Sequence, residues 1–374
     1  MTTISYTIID DKYNVEGKDH VSLVNATIYK YLSMFGNTGQ MTVLNYPRDI
    51  TQEAALFKQS IDAAPDTTIN NSWSSFSLIK TAGAMLYYKP DVYQVYKSAF
   101  EAGKTLVFAA GNFGAFKPLS MSFESSLPFS LNISAMDETH QISSYSSVNP
   151  GITNYIADGS IQYMGQTYHG TSFAAPRVTA LVAMLQDKYQ HSLDNSEIHT
   201  ILDLASKGEL MTISGHPEIA GSYYHVIDDS VFAKALNSSY VPGTIDNKVK
   251  VSALYELVLN RVADDEGLAY WTAIADKQGI GAVFNSAKGY AQHYSEEGVS
   301  LFDKVQDLYH LFLGREADDK GMAWWLDVAM QTQRPSGDQI YNGGHVWDMN
   351  AMIKIMGDSG LQLPEWWGHY QINA

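Results

Sequence analysis

The sequence predicts an α/β domain followed by an all-α domain built on a repeat. Three observations carry this. Apolar, strand-like runs end in polar residues at Tyr6–Asp10 and Leu106–Asn112. Stripes of helical periodicity begin at His20 and after Gly170. An eighteen-residue segment occurs twice in the second half of the chain.

The first run, Tyr6-Thr7-Ile8-Ile9-Asp10, reads as a short strand ending in an acid. His20 then opens a helical pattern through Val21, Val24, Ile28, Tyr31 and Leu32. A carboxylate at a strand's C-terminal end and a histidine at a helix start face the same edge of an α/β sheet. Each residue also has a plain reading. Asp10 can be a turn residue beside Asp11, and Asp19 can cap a helix that merely begins with His20.

Leu106-Val107-Phe108-Ala109-Ala110-Gly111-Asn112 is a second strand-like run with an amide at its tip. That amide can donate to a developing oxyanion, or serve as a turn asparagine before Gly114.

Gly170 to Pro176 read GTSFAAP. Val178, Leu181, Val182 and Leu185 share one stripe behind them, so Ser172 is expected at the mouth of a buried helix. Backbone N–H groups and the positive dipole end lie there. Pro176 is expected in about the first turn, where a missing N–H costs little. A nucleophilic serine needs a base, and the base needs an orienting acid. Asp10, His20 and Ser172 supply the three in that chain order, with Asp11 and Asp19 as reserve acids.

Taken together, these segments resemble the subtilisin-like serine proteases, the subtilase family. The resemblance runs over roughly residues 1–205 and is strongest at Gly170–Pro176. It implies a mainly parallel sheet with helices on both faces. It implies peptide-bond hydrolysis by Asp10, His20 and Ser172, with Asn112 in the oxyanion hole. Ser72, Trp73 and Ser74 would pair with the substrate backbone, and Ala110 and Gly111 would line its site. The chain departs from the family at three points. Asp10 and His20 are ten residues apart, without the usual longer excursion, so no calcium site carries over. Val21 and Ser22 replace a glycine and a threonine. No pro-segment precedes Asp10, so the chain is expected to fold unaided, with its C-terminal half as an aid, or to begin at a processed boundary.

The duplicated segment is Leu254–Trp271 and Leu308–Trp325, with eleven of eighteen positions identical at an offset of 54. Each copy reads as helix, Ala-Asp-Asp turn and helix. Asp265 and Asp319 are expected to cap the second helix, paired with Arg261 and Arg315. The unit resembles a bacterial domain family of unknown function, number 4214, over roughly residues 248–345. Members of that family recur in secreted and surface-layer proteins.

Asn237–Lys248 has linker composition. The expected division is therefore 1–240 for the protease, 241–345 for the repeats and 346–374 for an aromatic tail with Trp347, Trp366 and Trp367. Little core is expected to cross the linker.

The 374 residues carry a formal charge of −16 and no cysteine. Strong acidity argues against nucleic acid as a partner, and no run reaches membrane-spanning length. No cofactor or metal is required by any motif, and calcium lacks a visible site. The expected partners are protein or peptide substrates, with a surface layer or assembly on the repeats. Export without a classical signal peptide is the expected route to the cell surface, with the cytoplasm as the alternative. A subtilase-like binding protein without activity is the alternative function.

Overall fold

The computed structural model describes residues 2–10, 14–15, 18–45, 53–74, 89–287 and 299–332. The reserve acid Asp11, the stretch 333–345 and the tail 346–374 lie outside them.

An eight-stranded sheet organises the chain. Strand β1 (Thr3–Asp10) leads through a two-residue ladder, β2 (Asn14–Val15) with β3 (Lys18–Asp19), into helix α1 (His20–Met34). There follow β4 (Thr38–Asn45), α2 (Glu53–Ala63), β5 (Thr68–Asn71), α3 (Pro90–Glu101), β6 (Thr105–Ala109), β7 (Leu131–Met136) and β8 (Tyr155–Asp158). A hairpin, β9 (Ser160–Tyr163) and β10 (Gln166–His169), feeds α4 (Thr171–Lys188). Then come α5 (Asn195–Ala205), β11 (Lys207–Met211), β12 (Ser222–Ile227) and α6 (Asp229–Leu236). The order across the sheet is β11-β12-β8-β7-β6-β5-β1-β4. Every pairing is parallel except β11 with β12. The expected α/β fold, a mainly parallel sheet with helices on both faces, is the one observed.

This order places the functional end. The chain leaves β1 for β4 at the edge, then returns to β5 on the other side of β1. Such a reversal opens a crevice beyond the carboxyl ends of the strands. Asp10 ends β1 and Asn71 ends β5, so both sit at its rim.

One face of the sheet is covered by α1, α4, α5 and α6, through Val24, Ile28, Val178, Leu181, Ile198 and Phe232. Every residue of α4 from Thr171 to Gln186 is buried, which makes it the central helix of that layer. Pro176 is the sixth residue of α4, not a first-turn residue as expected. A proline there donates nothing to the carbonyl four residues back, so the Ser172 carbonyl lacks its helical partner.

The other face carries α2 and α3, and the chain's last helices join them. These are α7 (Asn247–Leu259), α8 (Asp265–Gln278), α9 (Ile280–Ala287), α10 (Leu301–Leu308), a π-helical turn at Tyr309–Leu313 and α11 (Asp319–Thr332). One apolar cluster runs from Ile69, Tyr96, Phe108 and Phe129 of the α/β part into Leu254, Phe302, Met322 and Leu326. The expectation that little core crosses the linker is therefore corrected. Phe302 stacks on His199 at 3.9 Å between ring centroids and meets Phe100 edge-on at 6.2 Å. Composition marked where the chain is polar along its length, not where the helices it joins come to rest.

The two copies of the repeat share their turn. Asn260 and Gly314 end the first helices in the left-handed conformation. The caps fall one residue earlier than expected: Asp264 accepts from Gly267 N–H at 2.7 Å and Asp318 from Gly321 N–H at 2.9 Å. Arg261 and Arg315 pair with these same acids at 3.4 and 3.8 Å. Asp265 instead pairs with Lys234, and Asp319 accepts from Asn195. Gly267 is glycine for a steric reason, because a Cβ there would lie 2.4 Å from the Tyr255 hydroxyl.

Candidate active site

Asp10 and His20 meet as their positions predict. Asp10 is fully buried at the end of β1, and His20 is 1% exposed at the start of α1. The Asp10 Oδ2 to His20 Nδ1 distance is 2.7 Å. Asp19 caps α1, accepting from the Ser22 N–H at 3.3 Å and the Ser22 hydroxyl at 2.9 Å. The plain reading of Asp19 therefore holds, while Asp10 does more than turn the chain.

Ser172 is the second residue of α4, preceded by Gly170 in extended backbone. Helices α1 and α4 lie side by side, with the His20 and Phe173 rings 6.2 Å apart. The Ser172 hydroxyl donates to the Ser72 carbonyl at 2.8 Å rather than to His20. Its N–H belongs to the first turn of α4, where backbone donors lack partners within the helix.

Asn112 is anchored to the same turn. Its Oδ1 accepts from the Thr171 N–H at 2.9 Å and the Thr171 hydroxyl at 3.1 Å. Because a backbone N–H can only donate, these bonds fix which end of the amide is oxygen. The Asn112 residue is exposed, and its Nδ2 is the end of the amide left to donate. Gly111 has φ of +107°, a conformation open to glycine, and packs against the Phe113 ring.

The segment after β5 is held from within. Thr179 of α4 donates to Asn70 Oδ1 at 2.9 Å, and Asn70 Nδ2 donates to the Ser72 hydroxyl at 2.8 Å. This ties the candidate substrate strand to the serine helix. Ser72 and Ala110 are fully buried, and Ser74 is half-buried. Trp73 shows how a backbone contact can be kept while the side chain is packed away. Its side chain is buried and stacks on Phe57 at 5.1 Å, so only its backbone is placed to meet a substrate.

Sequence reasoning missed Arg177, which fastens α4 from behind. It donates to Asp158 Oδ2 and to the Ser160 carbonyl, both at 2.7 Å, and to the Tyr31 hydroxyl. Burial pulls its guanidinium down to about 10. A charged residue inside an otherwise small and apolar helix start was the available signal. Among the described residues, the two sets of side chains with converging metal-ligand atoms lie away from this cleft.

The sequence profile of the subtilase family matches residues 23–256, more than half of the chain. The chain belongs to the subtilase family. It is accordingly a hydrolase of the serine protease class. Similar solved structures include the prenylagaramide maturation protease PagA, at 18% identity over 63% of this chain and 94% of that one, with a TM-score of 0.46. A cold adapted subtilisin-like serine proteinase is similar at 15% identity over 60% and 89%, with a TM-score of 0.40. The epidermin leader peptide processing protease EpiP from Staphylococcus aureus is similar at 14% identity over 65% and 77%, with a TM-score of 0.44. The family match begins after Asp10 and His20 and includes Ser172. It also runs past the linker into α7.

Proposed function

We propose that this subtilase is a serine endopeptidase working through Asp10, His20 and Ser172. The observation that carries the reading is the buried 2.7 Å contact between Asp10 and His20, on a helix packed against the one that bears Ser172. In this reading the Ser172 hydroxyl turns from the Ser72 carbonyl to His20. Its oxygen attacks the peptide carbonyl carbon while Nε2 of His20 takes the proton. Asp10 holds the Nδ1–H tautomer and stabilises the imidazolium. The Asn112 amide and the Ser172 N–H donate to the tetrahedral oxyanion. His20 then gives its proton to the leaving amine, and water releases the acyl group by the same steps. Residues 72–74 pair with the substrate as an added strand.

The test is covalent labelling with a fluorophosphonate, followed by peptide mapping. We expect Ser172 to carry the label and Ser172→Ala to lose it. In subtilisin, loss of the nucleophile costs about 10⁶-fold in turnover, and a comparable loss is expected here. The second reading, a binding protein without activity, is favoured by the Ser172 bond to Ser72. An unlabelled Ser172 in the folded chain selects it.

The same proposal gives residues 241–345 a docking role toward a surface layer or assembly, in keeping with their resemblance to family 4214. Its support is a pair of aromatic residues at equivalent positions of the two copies. Tyr270 is 61% exposed and Trp324 is 53% exposed. Export to the cell surface belongs to this reading, supported by the acidic, cysteine-free composition. Replacing Tyr270 and Trp324 by alanine should abolish adsorption to cell-envelope preparations and spare peptide hydrolysis. Unchanged adsorption removes the docking role.

A further inference from the structure

Six ionisable side chains are buried together where the last helices meet the sheet layer. They are His199 and Asp203 of α5, His225 of β12, Glu256 of α7, and Asp303 and Asp307 of α10. All but Asp203 are at least nine-tenths buried. The set holds four carboxylates and two imidazoles, so the cluster carries more negative than positive charge. Burial first, and then the neighbouring Glu256, Asp303 and Asp203 carboxylates, raise the Asp307 carboxyl well above its ordinary value, and Lys304 offsets only part of this.

The hydrogen bonds around the cluster leave particular atoms over. Ser206 Oγ donates to the Asp203 carbonyl at 2.9 Å, so at 2.7 Å from His225 Nδ1 it acts as acceptor. His225 therefore carries its proton on Nδ1 and turns the Nε2 lone pair inward. Glu256 accepts from Ser252 on Oε1, and Asp303 accepts from Ser300 on Oδ2. The atoms of the cluster left without a hydrogen bond are His225 Nε2, Glu256 Oε2, Asp303 Oδ1 and Asp307 Oδ2, and the first three lie together. One lone pair and two anionic oxygens thus converge in a closed space.

Their separations run from 3.4 to 3.8 Å. His225 Nε2 lies 3.8 Å from Glu256 Oε2 and 3.8 Å from Asp203 Oδ1. His199 Nδ1 lies 3.4 Å from Asp303 Oδ1. Two ligands of a tetrahedral ion with bonds of about 2.0–2.1 Å are themselves about 3.3–3.4 Å apart. A small inward movement makes these gaps the edges of such a polyhedron.

We propose that His225, Glu256 and Asp303, with Asp203 or His199 as the fourth ligand, bind one divalent transition-metal ion, foremost zinc. Imidazole nitrogens favour such an ion over calcium, which takes oxygen ligands. Full burial leaves no open position for a substrate, so the ion is structural. The ligands come from β12, α7 and α10, so the ion staples the C-terminal helices to the sheet. The Ser206–His225 bond sets the ligating tautomer. The Tyr155 hydroxyl, 2.6 Å from Asp203 Oδ1, orients a neighbouring carboxylate. The competing occupant is a proton. Burial alone lowers the His225 imidazole, but the facing Asp203, Glu256 and Asp303 carboxylates outweigh it and raise it to about 9.

The test uses the full chain, stripped with a chelator and titrated with cobalt(II) as a visible probe of zinc sites. We expect about one equivalent to bind, with the intense absorption of a tetrahedral ion that zinc then bleaches. Glu256→Gln and Asp303→Asn should each weaken binding by at least about tenfold. A stripped chain that binds neither cobalt nor zinc overturns the proposal and leaves a proton in the site. Binding that both folded variants leave unchanged places the ion elsewhere and also overturns it. Should the variants fail to fold, the parent spectrum decides. A weak, octahedral, water-like spectrum counts against the site, and a tetrahedral one supports it.

Discussion

At the cleft, one imidazole faces one carboxylate. At the seam between the sheet and the last helices, two imidazoles face four. His20 Nδ1 and Asp10 Oδ2 meet at 2.7 Å, both residues buried. His225 and Glu256 stand 3.8 Å apart, equally buried, each with an atom that no protein group bonds. A matched pair in low dielectric can work as a proton-handling device, because its charge is balanced within the protein. An excess of buried carboxylates has to be neutralised by protons or by a cation. The same residue types therefore point to turnover in one place and to assembly in the other.

The largest effect that sharpens this contrast belongs to the cleft. Asp10→Asn should lower peptide turnover by about 10⁴-fold through the wrong imidazole tautomer, with the melting temperature little changed. The double variant Asp10→Asn, His20→Ala should be hardly slower than His20→Ala alone, since the residues act as a unit. Steady-state kinetics on a chromogenic peptide measure both. Losses that multiply would mean the base or the acid is misassigned.

The next effect belongs to the seam and should leave the chemistry alone. Phe302→Ala removes a fully buried ring that touches Phe100 and His199. A loss of about 3–5 kcal/mol is expected from such a truncation, read by urea unfolding. Turnover per folded molecule should stay near the parent value. For the same reason, a fragment ending at residue 240 should be insoluble until residues 241–374 are supplied. A soluble, probe-reactive 1–240 fragment would show that the seam is dispensable and the contrast is drawn too sharply.

The smallest effect is one of pH. Asp194, which caps α5, and Asp319, which accepts from Asn195, are raised mainly by burial, to about 7 and about 6. Both lie above the ordinary 3.8 of an aspartate. The unfolded chain thus releases these protons first. Their stabilising share is full below the ordinary value and is lost as pH rises through 6–7. Thermal melts should give a lower midpoint at about pH 8 than at about pH 5, with the slope reduced in Asp319→Asn. A midpoint that climbs across that window would show that other groups control the seam.

Local pattern determined a good deal of this protein. The apolar run to Asp10, the stripe behind His20 and the GTSFAAP turn placed three candidate residues on the elements that carry them. An exact offset of 54 exposed the duplicated helices. These features are short in range, set by side-chain periodicity and by the few residues a turn accepts. Tertiary structure decided the rest. Whether Asp264 or Asp265 caps α8 depends on where the backbone leaves the turn, and two adjacent acids look alike to a pattern. Trp73 lies beside the cleft in sequence, but packing turned its ring onto Phe57. The seam drew His225, Glu256 and Asp303 from three separate segments with no spacing in common. Its one trace is that Glu256 and His310, both buried, hold equivalent positions in the two copies. Burial of charge is a property of what arrives from elsewhere in the chain, so only the folded arrangement of distant segments could create it.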